Sequence, residues 1–146
     1  MTSLVVDANV AAKWLLPAAN EDFIDQANRL ASLHVTRQIQ LLAPDLIEAE
    51  IGNILWKAVR RNRMSRAQAE TSLRSFVELS IQIVPISSFL EEALQIALAF
   101  DRSFYDSLYV ALAVSTKTEL ITADERLVNT LGSRFPIRWI GALGSS

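Results

Sequence analysis

A chain of 146 residues, 51% of them apolar and 21% charged, is long enough to bury a real core and too apolar to stay disordered. The absence of cysteine excludes disulfides and thiolate metal sites and suits a reducing compartment. A net charge of −2 gives no global attraction for nucleic acid, although a divalent cation in an acidic site would invert the local potential.

In chain order, Met1-Thr2-Ser3 leads directly into a strand-like run, with no charged leader or long apolar stretch before it. Residues 3–7 read as a short buried strand, rich in Val and Leu. Asn9 is placed to cap a helix that runs to Leu16 and is stopped by Pro17. Residues 20–35 have a helical apolar face, and residues 39–43 form a second strand. Pro44 sits where a long helix begins, a position it tolerates, and that helix is expected to reach about Arg61. Ser65 opens a helix to residues 79–80, and residues 81–86 read as a strand. Ser87 and Ser88 are expected caps of a helix through Phe100, and Ser103 of one through Thr116. A strand at 119–122, a short helix at 124–131 and a strand at 137–140 complete the pattern.

Strands alternating with helices predict an α/β fold in which a central, mainly parallel sheet is flanked by helices. No repeat, linker or low-complexity tract divides residues 1–146, so a single domain is expected. The longest apolar run, Leu108 to Val114, is far below the roughly 20 residues that span a bilayer. These features predict a soluble cytoplasmic protein with no membrane partner.

Four acids stand where neutral residues would serve folding as well or better. Asp7 ends the first apolar strand, where Asp is disfavoured. Glu50 shares a helix face with Leu46, Ile47 and Ile54, and no Lys or Arg lies three or four positions away to pair with it. Asp106 falls in the first turn of a helix, and Asp124 follows a short strand; dipole compensation and capping are ordinary uses for each. Sites in open α/β sheets form beyond the carboxyl ends of the strands, which predicts one shared edge for Asp7, Asp106 and Asp124. Clustered carboxylates suit a hard divalent cation and phosphodiester chemistry.

Five cations between Lys57 and Arg66 (Lys57, Arg60, Arg61, Arg63, Arg66), with no acid among them, either complement a helix end or track an RNA backbone. His34, the only histidine, has no acidic neighbour and supports no Ser-His-Asp site. The glycines at 52, 132, 141 and 144 form no phosphate-cradling loop. Trp14, Trp56 and Trp139 read as core or interface residues.

Taken together, Val5-Val6-Asp7-Ala8-Asn9, Pro44-Asp45-Leu46 leading to Glu50 and Asn53, Tyr105-Asp106-Ser107-Leu108 and Thr122-Ala123-Asp124 resemble the four motifs of the PIN-domain family. The resemblance covers nearly the whole chain and is strongest to the VapC-type toxins of toxin–antitoxin pairs. One departure is Lys117-Thr118, where the family often has a glycine before the fourth motif. The resemblance implies a three-layer α/β/α fold and a ribonuclease dependent on Mg²⁺ or Mn²⁺. In that reading Asp7, Glu50 and Asp106 hold the metal and Asp124 completes the cluster or serves a second ion. Metal-activated water hydrolyses the phosphodiester, while Asn9 and Thr122 orient carboxylates or water. It also implies a homodimer silenced by a cognate antitoxin; the aliphatic helices at 20–35 and 65–80 read equally as a groove for that partner or as core packing.

Two other functions compete. A haloacid-dehalogenase-like phosphatase also places Asp after its first strand, but needs an acid/base two positions later, where this chain has Asn9. A non-catalytic PIN-fold binding module would be favoured by loss of an acid, and all four are present.

Overall fold

The computed structural model describes residues 1–17 and 21–144. Five strands, β1 (Thr2–Val6), β2 (Ile39–Pro44), β3 (Gln82–Val84), β4 (Glu119–Thr122) and β5 (Ile137–Trp139), form one sheet in the order β3-β2-β1-β4-β5. Every neighbouring pair is parallel. Among the described residues seven α-helices connect them: α1 (Ala8–Leu15), α2 (Ile24–Val35), α3 (Leu46–Arg60), α4 (Arg66–Glu78), α5 (Leu90–Phe100), α6 (Phe104–Thr116) and α7 (Glu125–Leu131). The chain steps one way across the sheet from β1 to β3 and the other way from β4 to β5. Right-handed crossovers therefore put α1 to α4 on one face and α5 to α7 on the other. The order reverses between β1 and β4, and such a switch point leaves a crevice at the strands' carboxyl ends.

The expected α/β/α architecture is thus observed. Helix α6 is the most buried of the described helices: every residue from Ser107 to Ala113 is out of solvent, packed against β1, β2, β4 and α5. A helix apolar on all sides belongs inside, and this one fixes Asp106 and Tyr109 relative to the sheet. Among the described residues no helix is long and apolar enough to cross a membrane.

Several boundaries differ from expectation for identifiable reasons. Helix α1 begins at Ala8 with Asp7 at the N-cap, so Asn9 lies inside the helix and does not cap it. Pro44 closes β2, and Asp45 takes the cap position of α3. Of the expected 20–35 helix, residue 20 is outside the described set, and the helix starts at Ile24. Phe23 precedes it at φ 64°, its ring set edge-on to Trp139 at a centroid distance of 5.1 Å. Strand β3 is only three residues long, because Pro85 and a 3₁₀ turn at Ile86–Ser88 end it. Ser87 and Ser88 are spent in that turn, and the buried Phe89 stands at the N-cap of α5. Burying the Phe89 ring outweighs a hydroxyl cap there.

Ser65 and Ser103 cap as expected. Ser65 forms a reciprocal capping box with Gln68, and Ser103 Oγ accepts from the Asp106 amide. His34 is structural. Its Nε2 donates to the Leu79 carbonyl at 2.7 Å and its Nδ1 accepts from the Leu41 amide at 3.1 Å, which fixes the neutral Nε2–H tautomer.

Candidate active site

Asp7 leaves β1 at the switch point. Its amide extends the ladder by donating to the Ile121 carbonyl at 3.0 Å, while its side chain makes no capping bond to α1. The carboxylate is 8% exposed and accepts from Thr122 Oγ1 at 2.9 Å. Thr122 ends β4 and is fully buried; its hydroxyl also accepts from Asn9 Nδ2 at 3.2 Å and from the Asp124 amide at 3.0 Å. One donor and two lone pairs are then all used. Asn9 Oδ1 accepts from the Ala123 amide at 3.0 Å, tying α1 to the β4–α7 turn. Asn9 and Thr122 therefore lock the Asp7 and Asp124 segments together across more than a hundred residues of sequence.

Glu50, half-buried on α3, accepts from the Tyr109 hydroxyl of α6. Asp106 accepts from Arg102 Nη2 at 3.0 Å, and the same nitrogen lies 3.9 Å from Asp124 Oδ2. Asp124 Oδ1 meanwhile caps α7 through the amides of Arg126 and Leu127 at 3.0 and 3.2 Å. The capping use of Asp124 that its sequence context suggested is therefore real.

Burial raises the Asp7 carboxyl to about 7 despite the Thr122 bond, and the charges of Glu50 and Asp106 push the same way. Burial raises Glu50 as well, with the Tyr109 bond opposing and Asp106 adding to the rise. Asp7, Glu50 and Asp106 are thus close enough to repel one another. Among the described residues no group of three or more acidic or histidine side chains is arranged, as it stands, to hold a metal ion. The donor set still fits a hard divalent cation in kind and in charge. It is all carboxylate oxygen, it is partly desolvated, and Asp7 and Glu50 are met by neutral hydroxyls and not by cations.

The PIN-domain family profile matches residues 4–131. This chain belongs to the PIN-domain family. A VapC ribonuclease of Mycobacterium bovis, Mb0985, is 31% identical over 134 residues, covering 92% of this chain and 95% of the relative. Ribonuclease VapC3 of Pyrobaculum aerophilum is 32% identical over 126 residues, covering 85% and 91% respectively. Among solved structures, PAE2754 of Pyrobaculum aerophilum superposes with a TM-score of 0.70 at 23% identity, covering 96% of this chain and 85% of that one. VapBC2 of Rickettsia felis, bound to a promoter DNA fragment, gives 0.66 at 12% identity, covering 94% and 98%. These two likenesses concern the PIN fold.

Within this PIN domain two site residues escaped the sequence reading. Tyr109 sits inside the apolar run three residues after Asp106, and a Tyr on a buried helix needs a partner for its hydroxyl. Its own pKa is raised, by burial first and then by the charges of Asp7 and Glu50, so it stays a donor. Arg102 precedes the Ser103 cap of α6, outside the helix, so its pairing with Asp106 depends on the turn between α5 and α6 and had no helical-spacing signal.

The basic residues lie apart from the acids. Lys57, Arg60 and Arg61 line a shallow cavity of about 300 Å³ with Trp56, and Arg63 shares a neighbouring one with Lys57 and Arg61. Arg66 is exposed at the start of α4. None of the five is in a salt bridge among the described residues. Trp56 is not a core residue: it is 53% exposed, with the Arg60 guanidinium 4.9 Å from its ring centroid.

Proposed function

We propose that this PIN domain is a divalent-metal-dependent ribonuclease and the toxin of a toxin–antitoxin pair, formed by residues 1–146 as one domain. The observation that carries the reading is the set of carboxylates at the sheet's switch point. Asp7 and Glu50 are desolvated there with no cationic partner among the described residues, in a chain whose family match spans residues 4–131. Buried charges of this kind are costly unless paired or bound to metal.

Asp7, Glu50 and Asp106 would hold Mg²⁺ or Mn²⁺, with Asp124 as the fourth acid of the cluster. When bound, the cation supplies Lewis acidity toward the phosphodiester and lowers the pKa of the attacking water. The chain's own residues set the stage. Thr122 fixes the Asp7 carboxylate, Tyr109 fixes Glu50, and Asn9 holds the β4–α7 turn against α1. Asn9 is an amide held in that turn and cannot transfer a proton, so the phosphatase alternative lacks its acid/base.

RNA would approach along the unpaired cations of α3, whose contribution is electrostatic and independent of base sequence. The antitoxin partner and homodimer follow the family reading. A VapBC2 complex among the structural neighbours supports the antitoxin, and Leu73 and Val77 give α4 an exposed apolar surface for a partner. A cytoplasmic location follows from the proposed substrate.

The test is cleavage of a total-RNA pool with Mg²⁺ or Mn²⁺ by partner-free wild type and Asp7→Asn. We expect metal-dependent cuts by the wild type, reduced at least about 100-fold in the variant, the scale of losing one group central to charge stabilisation. Equal cleavage by both would sink the site assignment. Cleavage by neither would favour the non-catalytic PIN-fold binding module.

A further inference from the structure

We propose that Arg102 takes the place of a second cation in this site, so that the cluster admits one divalent ion and Asp124 acts through Arg102 and not as a metal ligand. The inference rests on the metal-dependent reading above and decides how many ions that reading involves.

The geometry is specific. Arg102 Nη2 stands 3.0 Å from Asp106 Oδ2 and 3.9 Å from Asp124 Oδ2, with only 19% of its side chain exposed. A magnesium ion bridging those carboxylates would need oxygens at roughly 2.0–2.1 Å, in space the guanidinium already fills. Guanidinium stays charged at any pH where the chain is folded, so it is a permanent positive charge there.

Asp124 can offer a metal only Oδ2, which has no hydrogen bond among the described residues and stands beside the guanidinium. Its Oδ1 accepts two amide hydrogens of α7. Turning Oδ1 to an ion would uncap the helix, and an ion at Oδ2 would sit against the guanidinium that Asp106 holds.

The backbone holds Arg102 in place from both sides. Asp101 ends α5 at φ 52°, the Arg102 amide donates back to the Ala97 carbonyl at 3.2 Å, and Ser103 caps α6 immediately afterwards. Its Nε is buried without a partner among the described residues, and its one side-chain hydrogen bond is to Asp106, with Asp124 as a second, longer ion-pair neighbour. Compensation is therefore lopsided. Asp106 and Asp124 share a built-in cation, while among the described residues no cation pairs with Asp7 or Glu50. The uncompensated side is where one ion would settle, with Asp106 reaching toward it from the Arg102 pair.

Mn²⁺ titration by calorimetry, repeated by electron paramagnetic resonance of free Mn²⁺, tests this on the full chain. Wild type should bind one Mn²⁺, Arg102→Lys one, Asp124→Asn one, and Arg102→Met two, because losing the guanidinium frees the Asp106–Asp124 pair. Two ions in the wild type would overturn the proposal, as would a single ion in a folded Arg102→Met chain. If Arg102→Met does not fold, Asp124→Asn decides: retention of one ion supports the proposal, and loss of the ion by a folded chain overturns it. No Mn²⁺ binding by the wild type is a different failure, because it removes the metal-dependent reading itself.

Discussion

Below about pH 4 the Asp7 carboxyl carries its proton whether or not the chain is folded, since an ordinary Asp ionises near 4. In the cation-free fold it ionises only at about 7. Between those values the native state binds more protons than the unfolded chain. The stability that protonated Asp7 contributes is therefore complete below pH 4 and is lost as pH rises through 7. The gap corresponds to about 4 kcal/mol. Asp7→Asn removes the titration while keeping an acceptor for Thr122. We expect the stability of this variant relative to wild type to rise between pH 4 and 7 and level off above, in urea unfolding without divalent ions. A difference independent of pH would show that burial does not hold the proton on Asp7.

At the scale of elements, α3 joins the acids to the basic surface. Residues seven and eleven positions beyond Glu50 return to its helical face within about 20°. Lys57 and Arg61 therefore follow Glu50 along one line, about 10 and 16 Å away at the helical rise. Both are exposed, and neither is in a salt bridge among the described residues. Lys57→Ala with Arg61→Ala, in the Asp7→Asn background, should weaken binding of a single-stranded RNA. The plot of log affinity against log salt should flatten by about 1.4, the release expected for two phosphate contacts. An unchanged slope would leave these cations as helix-end compensation only.

For the whole molecule, the acids come from four separate stretches of chain: the end of β1, α3, the start of α6 and the turn after β4. An ion binding them would bind only the folded state, so it should stabilise the entire domain. At a cation concentration one hundred times Kd the gain is about 2.7 kcal/mol. For a chain of this size that is a rise in Tm of roughly 5–10 °C. Differential scanning fluorimetry with millimolar Mg²⁺ or Mn²⁺ should show it in the wild type and lose most of it in Asp7→Asn. An unmoved Tm in the wild type would count against a competent cluster.

The sequence by itself determined the elements and the acids. Its alternation of short apolar runs with helical periodicity was enough for five strands and the surrounding helices, because those patterns are local. An acid at the end of Val5-Val6 and another on an apolar helix stripe were visible as anomalies, because desolvation makes a carboxylate there expensive. The tertiary structure decided the rest. The order β3-β2-β1-β4-β5 arises from crossover packing, and only that order sets β1 beside β4, so that Thr122 reaches Asp7. Asn9 looked like a helix cap, since cap preference is a local signal, yet its side chain spans to the Ala123 amide. Tyr109 and Arg102 gained their roles in the same way, from acids that the fold brings to them. Local pattern fixes what each segment becomes; which polar groups meet is settled by how the segments pack.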